Sequence, residues 1–299
     1  MPFDSSEATE WQALTARAGL ACHDLVGWMM WDPAAIAAYE ALGVPNGAGW
    51  VVAWRVASLG DVSPAVASAL TYSISPAIVE MVMGLARDTT TPSAILGVRD
   101  AAVEPGLDDI APGLGAELAA LSDDLWRGVD AMHFGAKPMF VAHREQPRPD
   151  RPSALSAWLA ANCIRELRGD NHWALCAAEG LDDVDVGLLH SAMIDVEEYG
   201  SEEWIARSRG ADDAAVEAAW ARLAARGLAA GGALTSAGRA FRLDLEERTD
   251  ALTAAVWKEV GAESTQRFCE LIEPHHQAFV DRIDATAGPR WMPAVRVNG

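Results

Sequence analysis

Lysine is almost missing from this chain: Lys137 and Lys258 are the only two. With 23 basic residues against 43 acidic ones, the formal charge is −20. A protein of that sign repels polyphosphate and anionic lipid headgroups at long range, which disfavours nucleic acid and acidic membranes as partners. Cysteine is scarce too. The four present (Cys22, Cys163, Cys176, Cys269) are scattered in apolar, helix-like contexts with no CxxC. That pattern argues against a disulfide framework and implies structural thiols in a reducing cytoplasm. Apolar runs are broken by Gly, Pro or charge short of a membrane span, and residues 1–7 show no signal-peptide pattern. There is no GxGxxG after a strand, no Walker loop, no HExxH and no GxSxG. No cofactor and no metal site are therefore expected.

What is present is apolar helix. Half the residues are hydrophobic, enough for a sizeable core, and the fold class reads as mainly α. Leu14, Ala18, Leu25, Trp28 and Met29 keep a helical stripe over residues 7–31. Ser63-Pro64, Ser75-Pro76 and Thr91-Pro92 each read as a cap followed by a helix start. Residues 43–49 are too rich in Gly to be regular, residues 105–112 read as a loop, and the tail from Gly288 reads as loose. Residues 133–152 carry Pro138, Pro147, Pro149 and Pro152 and give the best internal boundary. The expected organisation is a helical domain over 1–146, then a helical hairpin with a winged-helix-like module and C-terminal helices over 147–299.

Two stretches carry chemistry. Trp50 to Leu59 is apolar except for Arg55, which must find a carboxylate or a ligand anion in an interior; both readings stay open. The second stretch is Arg165-Glu166-Leu167-Arg168-Gly169-Asp170-Asn171-His172. Read locally, it is the end of a helix from Ser153, stopped by Gly169, with Arg165 and Arg168 in the last turn where cations suit the helix dipole. Such a capped turn would aim Asp170 and His172 at a common cavity, and a His beside a carboxylate is a tunable acid or base. His190 follows through a short hairpin, either as a core residue or as part of the same site. Adding Tyr72, Glu246 and Asp250 completes a set of polar groups that interrupt apolar helices. The catalytic candidates are His172, Asp170, Glu166 and His190; the substrate-binding candidates are Arg55, Tyr72, Arg165, Arg168, Glu246 and Asp250, with Arg55 or Arg168 as the anion clamp.

From Ser201 the pattern changes to a short helix, a helix over 212–226, a turn at 227–232 and a helix restarting at a Thr235 cap, the order of a winged helix. With Arg55-Val56-Ala57-Ser58-Leu59-Gly60, Tyr72 and Pro76, the run Arg165 to His172, His190, Trp204, Leu234-Thr235 with Gly238, and Leu245-Glu246-Glu247-Arg248-Thr249-Asp250, the chain resembles an actinobacterial family whose members are labelled winged-helix or helix-turn-helix proteins. The resemblance covers about residues 20–285, and it implies a DNA-binding shape and little about activity. It departs from the usual family pattern at Asn171 and over 193–199. Residues 201–250 hold seven Arg and nine acids, with Asp212, Asp213 and Glu217 opening the recognition-position helix, so no basic footprint accompanies the shape. The leading expectation is a cytoplasmic, cofactor-free small-molecule enzyme or ligand-binding protein of specialised (antibiotic) metabolism. A narrower form of it is aziridine closure with loss of sulfate. The alternatives are a MarR-like regulator, for which fold analogy is the warrant, and a scaffold with a degenerate winged helix. The expected partner is a small molecule, with self-association or a small partner protein left open.

Overall fold

All three Ser/Thr-Pro signals open helices, but only two of the expected caps form, since the Ser75 side chain makes no hydrogen bond to its helix. In the computed structural model, which describes residues 5–44 and 48–296, Ser63 accepts from Val66 N at 3.3 Å and Thr91 accepts from Ala94 N at 3.2 Å. Pro64, Pro76 and Pro92 are each the first helical residue, where the missing N–H costs nothing. Residues 45–47 of the expected Gly-rich loop lie outside the described residues, as do residues 1–4 and 297–299. The protein is mainly α, with one two-residue β-hairpin among the described residues. No helix among them is long and apolar enough to cross a membrane.

Two helices organise the rest. A central helix, Ala154–Ala178, starts at Ser153, whose hydroxyl accepts from Ser156 N at 3.0 Å. It runs straight through Gly169 instead of ending there. Glycine costs a helix interior about 1 kcal/mol, and burial of the turns on both sides outweighs that: Glu166, Leu167, Asp170, Asn171 and His172 are all buried. The actual stop is at Gly180, in the left-handed region at φ 68°. A second long helix, Ser236–Val260, packs along it. One apolar cluster joins the early helices, the first half of the central helix and the C-terminal part of the chain, with Trp28, Trp54, Trp158 and Trp257 at its heart. A second joins Cys176, Leu188, Leu189, Val216, Leu223, Leu234 and Leu245.

That second cluster is the core of a winged module: Asp183–Leu189, Trp204–Ser208, Asp213–Ala225, a hairpin pairing Ala229 with Leu234 and Ala230 with Ala233, then the second long helix. Gly231 and Gly232 both take left-handed φ (61° and 78°), which a two-residue hairpin turn requires. Two expected irregular stretches are helical. Pro138 opens a helix to Arg144 that buries Met139, Phe140 and His143, and the helix Pro92–Ile110 continues through Pro105. The tail from Gly288 also has structure: Trp291 to Val295 packs on the core.

Candidate functional site

Between the helical body and the winged module lies a cavity of about 540 Å³. The central helix contributes Arg165, Glu166, Arg168 and His172; Arg55 comes from the helix Ala48–Ala57; Glu246 and Asp250 come from the second long helix; His190 comes from the module. Eight of the ten expected site residues therefore line one cavity.

Two do not. Asp170 and His172 are two positions apart on a continuous helix, about 200° around its axis, so they cannot form a pair. Asp170 instead accepts from Phe140 N at 2.9 Å and Met139 N at 3.4 Å, capping the start of the Pro138–Arg144 helix from a distance in sequence. Tyr72 ends the Pro64–Thr71 helix at φ 42°, donates to the Leu181 carbonyl at 2.6 Å and stacks on Trp173 with centroids 5.3 Å apart. Its hydroxyl is committed, and it fastens the module to the body outside the cavity.

Burial pushes the Asp170 carboxyl up to about 7, against the N–H bonds from Phe140 and Met139. A carboxyl whose folded pKa exceeds its unfolded one stabilises at low pH and loses that contribution as pH rises through the folded value. Unfolding free energy should therefore fall between about pH 4 and 7 in the wild type and stay flatter in Asp170→Asn, as measured by urea titrations across that range.

The arginines expected to clamp a ligand are already paired. Arg55 meets Glu166 through two contacts, Nε–Oε1 at 3.2 Å and Nη2–Oε2 at 2.9 Å, and Arg165 Nη1 reaches the same Oε1 at 2.7 Å. Burial alone would raise the Glu166 carboxyl, but Arg55 and Arg165 outweigh it and hold it well below the usual carboxylate range. Glu166 is thus a buried counter-ion and not a proton carrier. Arg168 donates to Asp250 Oδ1 from Nε (3.2 Å) and Nη2 (2.9 Å) and also holds Glu246. Glu246 in turn holds Arg242, four residues earlier on the same helix face.

Two of the groups left with free hydrogen-bonding capacity, Arg242 and Arg209, are ones that no sequence motif had singled out. Arg242 is 3% exposed, yet its Nε and Nη1 have no partner among the described residues. Arg209, half-buried in the turn before the recognition-position helix, has no carboxylate partner among them at all. Burial, with Arg55 and Arg242 nearby, lowers it to about 10, so it stays charged at neutral pH. The i, i+4 spacing of Arg242 and Glu246 was visible in the sequence; nothing local marked Arg209.

The cavity histidines His172 and His190 are held neutral. Burial and then Arg242 pull His172 down to about 3; burial, Arg242 and Arg209 hold His190 well below its ordinary value. His172 Nδ1 lies 3.0 Å from Thr249 Oγ1, and that hydroxyl donates to the Leu245 carbonyl at 2.6 Å. The hydroxyl must therefore accept from Nδ1–H, which leaves His172 Nε2 as the bare, proton-accepting nitrogen. In His190 the reverse holds: Arg242 Nη2 approaches Nδ1 at 3.5 Å, so Nε2 carries the proton, buried and unpartnered.

Among the described residues no group of three or more His, Cys, Asp or Glu side chains is arranged to hold a metal ion. All four cysteines are buried and unpaired, and burial raises each thiol. Compared with known sequences, a family model described as a helix-turn-helix family matches residues 15–286. No curated protein and no solved structure matches the chain.

Proposed function

The chain belongs to a helix-turn-helix family over residues 15–286, and on that footing we propose that its winged module serves as one wall of a binding site for a small anionic molecule. The match spans the helical body as well as the module, so the unit is the two together with the cavity between them. The observation that carries the reading is a charge imbalance. Setting aside Arg17, which Glu273 holds at 2.9 Å, the lining has guanidiniums from Arg55, Arg165, Arg168, Arg209 and Arg242 against carboxylates from Glu166, Glu246 and Asp250. That leaves two positive charges uncompensated inside a protein of net charge −20. Buried cations without counter-ions are expensive unless an anion completes them.

The family label favours a second reading, a DNA-binding regulator. The disposition of the module's seven arginines argues against it. Arg207 pairs with Glu203 and Asp213, Arg222 with Asp182 and Asp185, Arg226 with Glu179, Arg239 with Glu202, and Arg248 with Glu179 and Asp244. The other two, Arg209 and Arg242, face the cavity. None is left unpaired on the surface for a phosphate backbone, and Asp212, Asp213 and Glu217 stand where base contacts would be made. Gel-shift assays on the protein's own promoter should show no retention at moderate salt; specific retention would restore the regulator.

Catalysis would run through His172 Nε2 acting without Asp170: an anion seated on the arginines would offset the field of Arg242 that helps hold the imidazole down, so that Nε2 could accept a proton released from that ligand. Turnover of a sulfated amine by the wild type, lost in His172→Ala, would support that step.

The binding claim is tested by thermal unfolding in phosphate or sulfate against chloride at matched ionic strength. Wild type should gain about 2–3 kcal/mol at saturating anion (roughly a hundredfold above Kd), and Arg209→Met should gain little. Equal midpoints in all three salts would sink the reading.

A further inference from the structure

Resting on that reading of the cavity as an anion site, we propose that its occupant is a phosphate monoester of a flat apolar body, with the doubly charged head on Arg209 and Arg242 and the body against a tryptophan wall. The head follows from count and from chemistry. Five guanidiniums face three carboxylates in the lining, an excess of two positive charges over the cavity as a whole, and a phosphate monoester brings close to two negative charges on one group. The unpartnered nitrogens of the lining include the donors Nε and Nη1 of Arg242, Nε of Arg165 and the Nε2–H of His190, beside Nδ1 of His23. A head made of acceptor oxygens is what such donors fit, and planar guanidiniums grip phosphate through paired N–H bonds.

The rest of the lining is of another kind. Trp31, Trp204 and Trp291 come together with Met30, Met193 and Met292. Trp291 lies 6.0 Å from Trp31 and 5.5 Å from Trp204, tilted 41° and 75°, so neither pair stacks face to face. Trp31 belongs to the body and Trp204 to the module; Trp291 spans them from the chain's C-terminal segment. That segment is held in place. Met292 takes a left-handed φ of 56°, and its Cε lies where a Cβ on Gly27 would stand 2.8 Å away. Arg296 donates to the Trp291 carbonyl at 2.9 Å and pairs with Asp284. A wall of three tryptophans and three methionines suits a flat ring system, because indole offers broad apolar faces and thioethers adapt to its outline.

The experiment uses the full chain and three probes at matched ionic strength: 1-naphthyl phosphate, inorganic phosphate and 1-naphthol, read by tryptophan fluorescence and by calorimetry. Naphthyl phosphate should bind at least about tenfold more tightly than either fragment, with a change in tryptophan emission. Arg209→Met should erase its advantage over naphthol, and Trp291→Ala its advantage over inorganic phosphate. Trp291→Phe should restore part of the latter if the alanine variant fails to fold. Inorganic phosphate binding as tightly as the naphthyl ester would overturn the amphipathic occupant while leaving the anion site standing. Naphthol binding as tightly as its phosphate would overturn the charged head. If inorganic phosphate and the ester both fail to bind, the anion site and this inference fall together.

Discussion

Replacing Glu166 with Gln is expected to cost about 3–5 kcal/mol of stability, the range for removing one partner of a buried ion pair. Glu166 is 1% exposed and carries two guanidiniums, those of Arg55 and Arg165. Gln keeps the shape and removes the charge, so both cations are left in the interior without their counter-ion. The measurement is urea unfolding, together with the double variant Glu166→Gln/Arg55→Met, which should recover part of the loss because one stranded charge is gone. The pH dependence has a definite sign. Arg55 and Arg165 hold the folded Glu166 carboxyl below its unfolded value despite burial, so its contribution is present above about pH 4 and fades as acid protonates it. The gap between wild type and variant should therefore narrow toward low pH. A loss under about 1 kcal/mol would mean that water reaches these side chains and that the cavity floor is not dry.

Gly238→Ala is expected to cost about 3 kcal/mol, the upper end for overpacking, and to loosen the winged module ahead of the body. A Cβ at this position would stand 2.0 Å from the Leu228 carbonyl oxygen and 3.0 Å from its carbon. The carbonyl cannot retreat freely, because it accepts from Thr235 N at 3.0 Å at the base of the hairpin. Thr235 in turn caps the following helix by accepting from Gly238 N at 3.1 Å, and its hydroxyl donates to the Gly227 carbonyl at 2.9 Å. Hairpin, cap and glycine form one joint in the second apolar cluster, whereas Trp257 and Val260, further along the same helix, belong to the first. Hydrogen exchange should accordingly rise over residues 183–235 while the central helix stays protected as far as about Cys163. A uniform rise across both clusters would mean that body and module unfold as one.

Much of this molecule can be read from local chemistry. Prolines after Ser or Thr start helices, Gly231-Gly232 makes the hairpin turn, Asp212 caps the recognition-position helix by accepting from Ala215 N at 2.8 Å, and the acids that follow it make a poor DNA-reading face. Each of these acts within four residues, and so does the Arg242–Glu246 spacing. Polar residues interrupting apolar helices were also a sound guide to convergence, since a buried charge has to meet others.

The assignments that failed depended on partners far away in sequence. Gly169 is a local stop signal, yet helices packed around the central helix carry it onward, and that single continuation places Asp170 and His172 on opposite faces. Arg55 finds its carboxylate 111 residues later, and Arg168 finds Asp250 82 residues later. Composition, spacing and caps set the mainly helical fold, the winged order and the acidic surface, because those follow from short-range geometry and net charge. Which guanidiniums are neutralised and which are left facing an empty space was decided by packing alone: ion pairing depends on separations of 3 to 4 Å, and those exist only once the chain has folded.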